Sequence, residues 1–129
     1  IDTGAGFHRT IVQNKIISGI DSNGSDPDGE IQWNFYHSWD YGEEVDPDSY
    51  DFQSTAMHEL MHTLGFLSYL QAPGGNTGTF RPVYDSFITD KNGLSPFDPV
   101  TLEWNTSFDS ILTGGSANGL FFSGPNAMA

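Results

Sequence analysis

His58-Glu59-Leu60-Met61-His62 sets two imidazoles four residues apart, with a carboxylate directly after the first. On an α-helix, side chains at i and i+4 lie on one face about a turn apart, so His58 and His62 can address a single metal ion. Glu59 then stands beside that ion, where it can take a proton from a metal-activated water and pass it on. The spacing could arise by accident, but its context is helical: Met57, Leu60, Met61 and Leu64 recur as an apolar stripe expected to be buried while the histidines share another side.

The ends of this helix are also legible. Asp48 or Ser49 can cap its start, and Asp51 puts a carboxylate in the first turn, where free N–H groups and the dipole favour negative charge. Gly65 can take the left-handed conformation that closes a helix, with Phe66 folding back on Met61 in a Schellman ending. The expected site helix runs from about Ser49 to Leu64.

His58-Glu59-Leu60-Met61-His62-Thr63-Leu64-Gly65-Phe66 resembles the His-Glu-x-x-His-x-x-Gly-Phe stretch of metzincin-type zinc proteases, above all leishmanolysin-like and related secreted bacterial proteases. Phe7–Val12, Ile31–Phe35, Val83–Phe87 and Phe121–Ala127 look like further landmarks of that bacterial group, so the resemblance covers most of the chain, although only the zinc motif is specific by itself. It implies an α+β zincin-like fold, zinc as cofactor, a protein or peptide as substrate, and a secreted or extracellular protease. It also implies that the strand ahead of the site helix forms the rim of the cleft, where an extended peptide adds as a further strand.

One departure bears on the chemistry. Astacin-like and matrix metalloproteinase-like members carry a third histidine three residues after the glycine, and that position is Ser68, whose hydroxyl is a poor zinc ligand. In leishmanolysin-like proteases the third histidine comes from a much later segment followed by a methionine turn, and no histidine follows His62 here. A chain that starts at Ile1 without methionine fits a fragment of a longer protein. Asp85 is the best internal candidate for a third ligand, against the plainer roles of capping a turn or orienting a histidine. His8 and His37 are weaker candidates, since isolated histidines usually serve as surface or hydrogen-bonded residues. Tyr84 could steady an oxyanion, but a packed aromatic is the simpler reading.

Composition bounds these readings. The 129 residues suit a single zincin-like domain, with an upper part over about 1–65 and the start of a lower part over about 66–129. Seventeen acidic against four basic residues give a net charge of −13, which opposes binding to nucleic acid or anionic membranes. No apolar run is long enough to insert in a bilayer, and the absence of cysteine rules out disulfides and thiolate chemistry.

The acidic loop Asp21–Glu30 and the cluster Glu43–Asp48 offer oxygen ligands for Ca2+, with a solvated acidic turn as the default, because neither has EF-hand spacing. Phe7–Ile17 reads as a helix ended by Ser18-Gly19, and Ile31–His37 alternates like a β-strand. Asp90-Lys91-Asn92-Gly93 reads as a hairpin turn between Phe87-Ile88 and Leu94, and Gly114-Gly115 as a break in the tail. Two other readings stay open: an inert metal-binding or adhesion module, favoured by Ser68, and a calcium-dependent structural domain centred on Asp21–Glu30.

Overall fold

A computed structural model describes residues 4–112 and 118–126. They mix short helices with three two-stranded ladders, and the chain divides into two compact units: Thr10–Phe66, and Ile1–Arg9 together with Leu67–Ala129. The division comes one residue after the motif's Gly65, and the first nine residues group with the C-terminal half. Gly114 and Gly115 lie outside the described residues. No helix among the described residues is long and apolar enough to cross a membrane.

The Thr10–Phe66 unit opens with helix α1, Ile11–Ser18. It starts later than the Phe7–Ile17 pattern suggests. Thr10 is a better start than Phe7 because its side chain accepts from the Gln13 amide while Gln13 reaches back to the Thr10 amide, a reciprocal capping box. Gly19 closes the helix at φ 70°, as expected from Ser18-Gly19. Strands β2 (Trp39–Asp40) and β3 (Tyr50–Asp51) pair in parallel, and the chain passes directly from β3 into helix α2, Phe52–Thr63.

The site helix therefore begins three residues after Ser49, with Asp51 as its cap rather than its first-turn acid. Pairing with β2 holds Tyr50 and Asp51 extended, so the first turn cannot start earlier. Asp51 accepts from the Gln53 amide at 3.0 Å and from the Ser54 hydroxyl, and the Ser54 bond is the main reason its carboxyl titrates below the usual range. At the far end the Schellman ending is present. Phe66 N donates to Met61 O at 3.1 Å, Gly65 N donates to His62 O at 3.0 Å, and Gly65 sits at φ 92°. Thr10 Oγ1 donates to Thr63 O at 2.7 Å, tying the start of α1 to the end of α2.

Ile31–His37 is not a strand. Asn34 Oδ1 accepts from the Tyr36 amide at 3.0 Å, an Asx turn that curls the chain where the alternating pattern would keep it straight. Trp33 instead packs on Phe52 with ring centroids 4.7 Å apart, and Trp39 and Tyr41 reach the same ring at 5.7 and 4.9 Å. This aromatic knot seats the start of α2. The expected burial of the Met57–Leu64 stripe is also corrected: Met57 is 67% and Leu60 55% exposed. Periodicity identifies a helix without saying what covers each face, and in this unit the covered face is the one carrying Phe52.

The second unit holds the buried apolar residues Ile88, Phe97 and Phe108. Strand β1 (Gly6–His8) pairs in parallel with β4 (Phe80–Pro82), a 3-10 turn spans Val83–Phe87, and β5 (Ile88–Thr89) pairs antiparallel with β6 (Phe121–Phe122). Phe7, Trp104 and the Arg81 guanidinium surround Phe97, the last at 4.5 Å from the ring centre. The Asp90–Gly93 turn is present, with Asp90 Oδ1 accepting from Asn92 and Leu94 amides at 2.8 Å. The partner of Ile88-Thr89 is Phe121-Phe122 rather than Leu94, because the turn leaves only Leu94 before Ser95-Pro96, and proline cannot donate to a ladder.

Candidate metal centre

Helix α2 brings His58 and His62 together as its register requires. Their ring centroids are 4.5 Å apart and their planes meet at 78°. The second imidazole is oriented by the helix ending itself: Nδ1 of His62 lies 2.8 Å from the carbonyl oxygen of Phe66. A carbonyl can only accept, so Nδ1 carries the proton in that bond and Nε2 keeps its lone pair for a cation. Metal-binding histidines commonly donate their other nitrogen to a carbonyl or carboxylate in this way. His58 is exposed and Glu59 half-buried, so the pair opens to solvent.

Seven residues separate Phe52 from Glu59 and four more separate Glu59 from Thr63, spacings that return to nearly the same line along a helix. Thr63 marks where the preceding loop meets that line, since a β-carbon on Gly29 would lie 2.9 Å from Thr63 Cγ2. Trp33 marks the other end, against Phe52. The segment from Gly29 to Trp33 thus runs antiparallel to α2, on the side that carries Glu59. No hydrogen bond joins its main chain to another described residue.

Two imidazoles on one helix suit zinc in donor type, and the carbonyl behind His62 suits it in orientation, while catalytic zinc normally takes a third protein ligand. Among the described residues no group of three or more His, Asp or Glu side chains is arranged to hold a metal ion. Ser68 and Asp85 have other engagements in the second unit. Ser68 Oγ accepts from the Leu70 amide at 3.1 Å, and Asp85 Oδ2 accepts from the Tyr69 amide at 3.2 Å. Asp85 is fully buried, its Oδ1 has no hydrogen-bond partner, and Arg81 lies among its charged neighbours. His8 stacks on Phe80 at 4.3 Å with Nε2 3.0 Å from Gly4 O, and His37 packs edge-on to Tyr50. Tyr84 stacks on Phe122 at 4.7 Å, the packed role expected of it.

Burial pushes the Asp85 carboxyl above its usual range, against the opposing pull of Ser68, the Tyr69 amide and Arg81. A group whose folded pKa is raised is stabilising in its protonated form, so its contribution is present below its unfolded value near 3.8 and is lost as pH rises through the folded value. Asp85→Asn should remove this slope. The melting temperature of the variant minus that of the parent should climb as pH rises from about 4 towards 7, the range above the ordinary carboxyl value. A pH-independent difference in calorimetry would show that the carboxyl is not held protonated by burial.

The acidic loop from Asp21 to Glu30 carries its own counter-ion. Lys15 Nζ lies 2.8 Å from Asp21 and 2.5 Å from Asp28, and these contacts, Asp21 first, raise the Lys15 pKa. Asn23 Nδ2 ties the loop further to the Asp26 and Pro27 carbonyls. A calcium ion at these two carboxylates would have to displace an ammonium. The later acidic cluster is organised by Asp40, whose carboxylate accepts from the Gly42 and Asp46 amides and titrates low for that reason, Asp46 being the stronger cause.

Sequence did not single out Phe66 as a site residue, because its contribution is a main-chain carbonyl; the glycine before it was the available signal. Comparisons with family models, with curated proteins and with solved structures give no match to this chain.

Proposed function

We propose that this chain carries the zinc-binding helix of a metal-dependent peptide hydrolase of the zincin kind, working outside the cell. The observation that carries the reading is the helix register: His58 and His62 share one face, His62 has its Nδ1 proton committed to the Phe66 carbonyl, and Glu59 stands next to His58 on the side facing the Gly29–Trp33 segment. His58 and His62 would hold the zinc, which when bound would polarise a carbonyl and make water acidic enough to ionise near neutrality. With such a metal bound, Glu59 is the residue that would accept a proton from the attacking water and return it to the departing amine, the two halves of general base and general acid catalysis. The unpaired main chain of Gly29–Trp33 offers an extended peptide donors and acceptors parallel to the helix axis, which favours peptide over small ester or amide substrates.

Metal analysis of the purified protein tests the first half of the proposal. Zinc should be present at stoichiometric level and should be lost in His58→Ala, with the helix retained by circular dichroism. Zinc that stays bound after the substitution would remove His58 from the site and the reaction with it.

A further inference from the structure

Trp33, Phe35 and Tyr36 follow one another with two amides, Gln32 and Asn34, and line a cleft of 670 Å³ in the Thr10–Phe66 unit. Phe35 is 67% and Tyr36 101% exposed, an unusual display of large rings for a surface turn. The turn is fixed rather than loose. Asn34 holds Tyr36 N with its side chain and Trp39 Nε1 with its carbonyl at 3.0 Å, and Trp33 is clamped between Trp39 and Phe52. A rigid aromatic wall with neutral amides, and no charged residue among the described residues that line it, is built for an apolar side chain carried on a polar backbone.

The cleft also has a measurable place relative to Glu59. Phe52, against which Trp33 packs, precedes Glu59 by seven residues on the same line of α2, about 10 Å along the axis. An extended peptide advances about 3.3 Å per residue, so that span equals about three residues. The net charge of −13, with Asp26 and Glu30 just before the cleft, repels acidic peptides.

We propose that this cleft is a specificity subsite: it receives a large apolar side chain of an extended, non-acidic peptide about three residues from the bond that is cut. The inference rests on the hydrolase reading for the position of the cut, but not for the binding itself. The test uses the whole chain bearing Glu59→Gln, without added metal, and two capped basic octapeptides that differ only in one phenylalanine or alanine. Binding is followed by the indole resonance of Trp33. The phenylalanine peptide should bind about tenfold more tightly, and Phe35→Ala or Tyr36→Ala, both truncating exposed rings, should erase that advantage while leaving the alanine peptide unchanged. Equal affinity for the two peptides, or an advantage that survives both substitutions, would overturn the subsite. With zinc restored and Glu59 intact, cuts should fall about three residues from the phenylalanine, and cuts at other spacings would overturn the assigned position. Ring-dependent binding by a protein that cleaves nothing would instead remove the hydrolase reading and leave the cleft as a peptide-binding site.

Discussion

Glu59→Gln should lower hydrolysis of a denatured protein by about 10²- to 10⁴-fold, the range that a positioned general base supplies, while zinc content stays at the parent level. The amide keeps the size and hydrogen-bonding reach of the carboxylate but cannot accept the proton, so it separates proton transfer from metal retention. Glu59 is half-buried and no described hydrogen bond or ion pair engages its carboxylate, so its loss carries little structural cost. The readout is a pair of measurements on one sample, cleavage rate and bound metal. Parent-level cleavage with zinc in place would show that another group accepts the proton. A rate that falls only in step with the zinc would reduce Glu59 to a structural neighbour of the site.

Gly65→Ala should be the most damaging single methyl in the Thr10–Phe66 unit. An alanine held at φ 92° costs about 1–2 kcal/mol in backbone strain. Its β-carbon would also lie 1.9 Å from Gln13 Nε2 and 2.2 Å from Gln13 Cδ, so Gln13 must leave the Thr10 amide that it caps, at a further cost of about 1 kcal/mol. The sum, about 2–3 kcal/mol, is a large part of what holds a unit of this size. Gly19→Ala is the matched control: its φ is 70° and nothing lies within 4 Å of the added carbon, so it should show the strain alone. Urea denaturation that finds the two variants equally destabilised would remove the Gln13 contact from the account. The same change shifts the Phe66 carbonyl behind His62, so zinc affinity should fall about 10- to 100-fold in Gly65→Ala and stay unchanged in Gly19→Ala.

How much of this was legible in the sequence depends on how local the determining interaction is. The helix ending was readable because Gly65 and Phe66 carry it within six residues, and the capping box at Thr10 lies equally close in sequence to its partner. The start of α2 was misplaced because a strand pair between Trp39 and Tyr50, eleven residues apart, keeps the chain extended to Asp51. The alternation over Ile31–His37 was real, but a strand needs a partner, and Asn34 turns the chain before one is met. The apolar stripe gave the correct helix and the wrong face for burial, because the aromatic rings that cover α2 come from Trp33, Trp39 and Tyr41, outside the helix pattern. At the candidate site the closeness of His58 and His62 was readable from their spacing, whereas the carbonyl that orients His62 is a main-chain atom without a residue signature. The internal neutralisation of Asp21 and Asp28 by Lys15 joins residues of a helix and a loop that composition treats separately.

The parallel pairing of Gly6–His8 with Phe80–Pro82 joins chain segments on either side of the whole Thr10–Phe66 stretch. Closing a loop of that length from an open coil costs about 4 kcal/mol of chain entropy. Earlier collapse of the intervening stretch, whose contacts are shorter in range, shortens the effective tether and lessens that cost. The expected order of assembly is inside first: the Thr10–Phe66 stretch with helix α2 collapses before its flanking segments pair, and a variant that slows that collapse should delay the pairing in a stopped-flow refolding experiment.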